Sequence, residues 1–307
     1  MDEGAGHVVT TTSAPPAQSG RTVFGSLLSP AIGGNIDYTV RLPAGYDSES
    51  STRYSSLYLL HGRGDSRADW EQEIADIDGW TAAASIAPMI VIMPDAPWSN
   101  AASYYVDSLY TGTEGELSAG VAVETGFTRD LLEHIDTRFR TVADRSSRAV
   151  GGYSMGGAGA LRFATAHQKI FSAGILLSPA VYVPSAPAQS STREFGAFGV
   201  GTALFEANRY RALNYPATFE AFNRRLPVHL FIAVGDDEHA NVLPEDAIHD
   251  LDYEAATLYN RAKRVAGITA ELRVYDGGHD WGTWRRGFRE GLVNIAARLH
   301  AAVRPGP

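Results

Sequence analysis

The chain lacks cysteine altogether, and it contains no apolar run long enough to cross a membrane. The first absence excludes disulfides, thiolate metal ligands and cysteine nucleophiles. Basic residues are scarce as well, because 26 Lys and Arg stand against 35 Asp and Glu and leave a formal net charge of −9. Nucleic-acid and anionic-membrane surfaces need clustered positive charge, so we expect neither as a partner. A small or neutral substrate fits this balance better.

The first 20 residues also lack the marks of a signal peptide. They are small and polar, without a basic start or an apolar stretch. We expect a flexible segment over 1–20, followed by a single domain over 21–307. The protein is then either cytoplasmic or secreted with its signal peptide absent from this chain, and the oligomeric state stays open.

The remaining sequence alternates strand and helix patterns. Residues 22–28 and 36–42 alternate apolar and polar side chains, which predicts an antiparallel pair at a sheet edge. Short, mostly apolar segments typical of strands covered on both faces lie at 56–60, 89–93, 149–151, 174–177, 228–234 and 270–275. Helical patterns lie at 68–86, 124–139, 157–167, 254–266 and 283–303. We predict an α/β fold with a mostly parallel central sheet and helices on both faces.

The stretch 182–226 does not follow this alternation. It has no clean period and carries several Pro, Gly and aromatic residues between two predicted strands. Long excursions of this kind commonly carry function. We expect a cap or insertion over the active site here.

A G-x-S-x-G pentapeptide occupies 152–156, between a predicted strand and a helix rich in small residues. In that context Ser154 is held at the apex of a sharp turn, where it is exposed as a nucleophile. Glycines on both sides allow the close packing of strand and helix. Because the motif also arises by chance, its partners must be found elsewhere in the chain.

A serine hydroxyl needs a base within reach and an acid that orients the base. His279 follows the last predicted strand in a Gly-Gly turn, so we predict that it is the base. Asp236, Asp237 and Glu238 follow the preceding strand, and one of them can complete the triad. The order Ser, acid, His is that of the α/β-hydrolase arrangement. The acidic run lacks the alternating spacing of a calcium loop, so we predict no metal and no cofactor.

The turn at 61–64 closes the first buried strand, where backbone N–H groups can face a developing oxyanion. His61 is expected to shape this turn, and Arg63 to donate its amide. The second donor is the amide of Met155, which follows the nucleophile.

Five segments together resemble the esterase D, feruloyl esterase and antigen 85 mycolyltransferase group of α/β-hydrolases. They lie at 58–62, 103–108, 130–136, 152–157 and 277–281, and the likeness runs from about residue 36 to the C-terminal helix. The resemblance implies an α/β-hydrolase fold with Ser154 as nucleophile and His279 as base. It also implies an oxyanion hole formed by the amides of Arg63 and Met155.

The resemblance further places the acid shortly after the strand at 228–234, usually as Asp and sometimes as Glu. We favour Asp237 and keep Glu238 as the alternative. A segment with paired tyrosines lines the pocket in the family, so Tyr104, Tyr105 and Asp107 are predicted to contact the substrate.

These features predict a serine carboxylesterase that hydrolyses a short acyl or an aryl, feruloyl-type ester, free or carbohydrate-linked, through an acyl-enzyme. Trp281 belongs to a set of aromatics that would form a flat wall for such an ester. Acyl transfer of the mycolyltransferase type is the alternative, and a non-catalytic binding module is another. The chain has neither the cysteine-bearing loop of the S-formylglutathione hydrolase branch nor a recognisable mycolyltransferase lipid helix in 182–226. Hydrolysis is therefore favoured.

Overall fold

The computed structural model of the protein describes residues 20–113, 117–239 and 243–300, so the predicted flexible segment lies almost entirely outside the described residues. The strands are β1 (Arg21–Ser29), β2 (Gly34–Leu42), β3 (Ser55–Leu60), β4 (Met89–Pro94), β5 (Leu109–Tyr110), β6 (Arg148–Tyr153), β7 (Ala173–Leu177), β8 (Val200–Gly201), β9 (Val228–Gly235) and β10 (Ile268–Tyr275). The α-helices are α1 (Arg67–Glu71), α2 (Ile74–Ala82), α3 (Val123–Thr125), α4 (Leu132–Arg138), α5 (Met155–Ala166), α6 (Ala207–Leu213), α7 (Tyr215–Glu220), α8 (Leu251–Ala262) and α9 (Trp281–Ala296).

Eight of these strands form one sheet in the order β1-β2-β4-β3-β6-β7-β9-β10. The β1–β2 and β2–β4 pairs are antiparallel, and all the other pairs in this sheet are parallel. The predicted edge pair and the mostly parallel sheet are therefore confirmed. Because the parallel strands all point the same way, the loops after β3, β6, β7, β9 and β10 meet at one edge of the sheet.

Helices cover both faces of the sheet, which explains why β3, β4, β6, β7 and β9 are buried at every residue. Successive residues of a strand point to opposite faces. Leu57 and Leu59 accordingly pack in a core with Trp70 of α1 and Phe288 of α9. Tyr58 and Leu60 pack on the other side, in a core that includes residues of α4, α5 and α8.

Two predicted helices differ from the structure in detail. The pattern at 68–86 is divided into α1 and α2, and the pattern at 124–139 contains a π-helical stretch, Gly126–Leu131, between α3 and α4. The excursion 182–226 contains α6, α7 and the short strand β8, which pairs with β5 outside the main sheet. Within the described ranges, no helix is both long and apolar enough to cross a bilayer.

Candidate active site

Ser154 is the single residue between the end of β6 and the start of α5, in the turn that the pentapeptide predicts. Its backbone has φ 54° and ψ −118°, which is a strained conformation for a residue with a side chain. The turn also brings backbones very close together. A Cβ on Gly152 would lie 2.3 Å from the Gly156 carbonyl oxygen, and one on Gly156 would lie 2.1 Å from the Leu60 carbonyl oxygen. Glycine is therefore required at both positions.

His279 lies in the loop after β10, and its Nε2 atom is 2.9 Å from the Ser154 Oγ atom. The imidazole packs edge-on against Trp284, with ring centroids 5.0 Å apart. The next residue, Asp280, caps α9 by accepting hydrogen bonds from the amides of Gly282 and Thr283. The histidine is thus held between a strand end and a helix start.

The carboxylate that reaches His279 is Glu238, whose Oε2 atom lies 2.6 Å from the His279 Nδ1 atom. The Glu238 side chain is fully buried. A carboxylate can only accept, so Nδ1 carries the proton and Nε2 accepts from the Ser154 hydroxyl. This arrangement can draw a proton from the serine as its oxygen attacks.

The preference for Asp237 is corrected by this geometry. The backbone amides of Asp236 and Asp237 donate to the carbonyls of Tyr275 and Gly277, and the Gly277 amide donates to the Asp236 carboxylate. These bonds fasten the turn after β9 to the loop after β10 and leave Asp237 exposed, while Glu238 turns inward. Glu238, the alternative that the sequence left open, is the carboxylate that is hydrogen-bonded to His279.

The exposed carboxylates of Asp236, Asp237 and Asp276 have oxygens within 4.8 Å of one another, so this group has the spacing to hold a metal ion. Exposed acidic side chains often group in this way without an ion. We therefore build no chemistry on the group.

The turn that carries Arg63 is fixed by hydrogen bonds of the buried His61 side chain. The His61 Nδ1–H donates to the Gly62 carbonyl at 2.7 Å, and its Nε2 accepts from the Ala96 amide at 2.8 Å. The bond accepted at Nε2 requires the neutral ring, and burial lowers the pKa of His61, which favours that form. His61 thus shapes the turn as the sequence predicts.

The two amides proposed for the oxyanion hole lie at the same end of the sheet. Met155 is the first residue of α5, so its amide has no partner within the helix. Arg63 lies in the turn after β3, whose preceding residues Leu60 and His61 approach the first turn of α5 at Gly156. The Arg63 amide donates to none of the described residues, while its exposed side chain lies over Phe195, with 5.6 Å between the guanidinium carbon and the ring centroid.

Three predicted substrate contacts are engaged within the protein instead. The Tyr105 side chain is 0% exposed and its hydroxyl donates to the His61 carbonyl at 3.1 Å. The Asp107 carboxylate accepts from the amide and the hydroxyl of Thr125 at 2.9 and 2.6 Å. Tyr104 is 4% exposed and accepts from the Thr192 hydroxyl at 3.0 Å. The Tyr105 hydroxyl and the Asp107 carboxylate are thus hydrogen-bonded within the protein, and their contact with substrate stays a prediction.

Trp281, the fourth predicted contact, is half-buried in a group of aromatic rings beside His279. Its ring centroid lies 4.9 Å from that of Tyr153, 5.4 Å from Trp70 and 5.6 Å from Trp284. Its part exposure keeps it available at the surface of the site.

Sequence reasoning missed Ser178 and its contact with Trp284. The buried Ser178 Oγ atom lies 2.6 Å from the Glu238 Oε1 atom, and it accepts from the Trp284 indole N–H at 3.0 Å. One signal could have found Ser178, since it follows β7 directly, as Ser154 follows β6.

The excursion 182–226 packs against the loop 95–110. The hydroxyls of Ser99 and Ser108 donate to the carbonyls of Phe195 and Gly196 at 2.6 and 2.7 Å. A cavity of about 30 Å³ remains between α5 and the excursion, lined by residues that include Tyr104, Ala158 and Phe198. That the excursion caps the active site stays a prediction.

Comparison with known proteins gives consistent matches. Residues 29–295 match the family model described as "Putative esterase". The chain is 30% identical over 283 residues to a Mycobacterium tuberculosis protein named as an esterase, which covers 89% of this chain and 58% of that protein. It is 27% identical over 254 residues to an endo-1,4-beta-xylanase/feruloyl esterase of Xylanibacter ruminicola, which covers 80% of this chain and 27% of that protein. The chain thus spans less than two thirds of the length of these relatives.

Two solved structures share the fold. A ferulic acid esterase superposes with a TM-score of 0.71 at 24% identity, covering 92% of this chain and all of that one. An S-formylglutathione hydrolase from Agrobacterium tumefaciens superposes with a TM-score of 0.68 at 20% identity, covering 94% of this chain and 99% of that one. These likenesses confirm the predicted α/β-hydrolase fold.

Proposed function

The chain belongs to the putative esterase family, and from this premise we propose that it is a serine carboxylesterase in which Ser154, His279 and Glu238 form the catalytic triad. The observation that carries the proposal is the continuous hydrogen-bonded chain from the Ser154 hydroxyl through His279 to a buried carboxylate. The strained backbone of Ser154 supports it, because such strain is retained where the surrounding structure enforces it, commonly at active sites.

In the proposed reaction the Ser154 Oγ atom attacks the ester carbonyl carbon while its proton passes to His279 Nε2. The bond between the carbonyl carbon and the alcohol oxygen then breaks, and the alcohol leaves with the proton from His279. Water attacks the carbonyl carbon of the acyl-enzyme while losing a proton to His279, and the bond from that carbon to Ser154 Oγ then breaks. His279 returns the proton to Oγ as the carboxylic acid leaves, which restores Ser154. Glu238 holds the imidazole in the correct tautomer and stabilises the imidazolium that forms twice in each cycle.

The amides of Arg63 and Met155 are proposed to bind the oxyanion of each tetrahedral intermediate. Both groups belong to structures that need no rearrangement, since one is a helix start and the other a turn fixed by the buried His61. Such preorganised donors stabilise charge that develops in the transition state.

The substrate class we propose is a short acyl or an aryl, feruloyl-type ester. Two of the similar proteins are named as feruloyl or ferulic acid esterases. The half-buried Trp281 offers an aromatic surface next to the base, which suits a flat acyl group.

Ser154→Ala tests the proposal directly. Hydrolysis of p-nitrophenyl acetate should fall by about 10³-fold or more, because the nucleophile and its acyl-enzyme are lost. Labelling by a fluorophosphonate probe should disappear as well. The matched control is Ser56→Ala, which removes a buried hydroxyl that has no hydrogen-bond partner among the described residues. Activity retained by a folded Ser154→Ala protein would refute the assignment.

A further inference from the structure

Glu238 carries its negative charge in an unusual setting. Its side chain is 0% exposed, and within the described ranges no Lys or Arg forms an ion pair with it. The charge is instead met by three hydrogen-bond donors. One is His279 on Oε2, and the other two are the Ser178 hydroxyl and the Gly235 amide, each 2.6 Å from Oε1. A buried charge is costly unless it is hydrogen-bonded, so these donors decide where the carboxylate sits.

The direction of the Ser178 bond is fixed by its neighbour. A serine hydroxyl can donate or accept, but an indole N–H can only donate. Because the Trp284 N–H points at the Ser178 oxygen from 3.0 Å, that oxygen is the acceptor there. Its own proton is therefore directed at Glu238, which among the described residues is the only hydrogen-bond partner of this hydroxyl that can accept it.

The backbone of Ser178 shows that the position is strongly determined. Its φ is 43°, in the left-handed region, although it is a fully buried residue with a side chain. The Ser178 amide donates to the Ala233 carbonyl of β9 at 2.7 Å, which ties it to the strand that leads to Glu238. Strain of this kind persists where the surroundings enforce it, and here it aims one hydroxyl at one carboxylate oxygen.

We propose that Ser178, oriented by Trp284, is a positioning residue that fixes Glu238 and so keeps His279 aligned between Glu238 and Ser154. The inference rests on the proposed function and extends it to a second serine that does not touch substrate. With Oε1 held by Ser178 and Gly235, the carboxylate cannot rotate away, and Oε2 stays on His279.

The test is Ser178→Ala, with Ser56→Ala as the matched control. Ser178→Ala should lower kcat for p-nitrophenyl acetate by about 10- to 100-fold with little change in KM, as expected for loss of a hydrogen bond to a charged group. Trp284→Phe keeps a ring against Tyr153 but removes the N–H that donates to Ser178. It should also lower kcat, by a smaller factor than Ser178→Ala. Active-site titration with a fluorophosphonate corrects each value for the fraction folded.

A pH profile separates positioning from a merely structural role. Among the described residues, His279 bonds Glu238 directly and Tyr182 interacts with it electrostatically; burial raises the pKa of Tyr182, so it stays neutral in the range of interest. Without the Ser178 donor, the anionic state of the Glu238–His279 pair is less stabilised. The acidic limb of kcat/KM against pH should therefore move to higher pH in Ser178→Ala and stay unchanged in Ser56→Ala.

The outcomes are distinct. If Ser154→Ala is inactive but Ser178→Ala matches Ser56→Ala in kcat and in its acidic limb, the positioning role is wrong and the esterase proposal stands. If Ser154→Ala remains active, the proposed function itself fails. A lowered kcat with the shifted limb supports the positioning role.

Discussion

Two parts of the active-site region are built differently. The inner site comprises Ser154, Ser178, Glu238 and His279, which follow the ends of parallel strands, together with Trp284 of α9, and these residues bond to one another. The outer wall comprises the loop 95–110 and the excursion 182–226, and several polar groups of these two segments bond across to each other. The comparison teaches that strand ends hold the proposed catalytic groups, while the two long segments hold each other in place.

The largest expected effect tests which carboxylate belongs to the inner site. Glu238→Gln keeps the shape but removes the charge that orients and stabilises His279, so kcat should fall by about 10³- to 10⁴-fold. Asp237→Asn should remain near wild type, because Asp237 is exposed and bonds the neighbouring loop only through its backbone amide. Steady-state kinetics on p-nitrophenyl acetate give both values. If Asp237→Asn lost more activity than Glu238→Gln, Asp237 would belong to the inner site instead of Glu238.

A smaller effect concerns His61, which lies beneath the oxyanion turn and next to the outer wall. His61→Ala removes two buried hydrogen bonds and leaves a cavity, so the free energy of unfolding should fall by about 2–4 kcal/mol. Urea unfolding at neutral pH measures this loss. The exposed His300→Ala should lose clearly less.

The contribution of His61 to stability can also be tested in the wild-type protein by lowering the pH. The folded-state pKa of His61 is lowered by burial, below the value of about 6.5 in the unfolded chain. Its contribution to stability is therefore complete above about pH 6.5 and is lost as pH falls through the lower folded value. Wild type should lose more stability than His61→Ala between pH 7.5 and the acid limit of the folded state. Equal slopes would mean that His61 does not titrate with unfolding.

The smallest expected effect distinguishes packing from substrate contact in the outer wall. Tyr105→Phe removes the hydroxyl that bonds the His61 carbonyl and should cost about 1–3 kcal/mol of stability. Tyr58→Phe should be close to neutral, since the Tyr58 hydroxyl is buried without a partner among the described residues. Thermal unfolding compares the two. A large rise in KM for Tyr105→Phe, with stability unchanged, would restore Tyr105 as a substrate contact.

The sequence was most informative where residue type and strand position act together. Ser154 and His279 could be found because each follows a strand in a glycine-rich turn, and the structure places the Ser154 Oγ and His279 Nε2 atoms 2.9 Å apart. The choice between Asp237 and Glu238 could not be made, since it depends on backbone bonds between two loops that are far apart in sequence. The role of Tyr105 could not be predicted either, because a tyrosine in a loop can pack inside the protein or contact substrate, and the sequence looks the same in both cases. Ser178 was missed because its role arises from a tertiary contact with Trp284.

The bonds between the turn after β9 and the loop after β10 have a further consequence. Asp236, Asp237 and Gly277 join these two segments, one of which carries Glu238 and the other His279. The acid and the base are therefore held by two segments that are bonded to each other, and a change in either segment is expected to act on both residues. Ser154 is tied to the neighbouring strand instead, since its amide donates to the Leu177 carbonyl, next to Ser178.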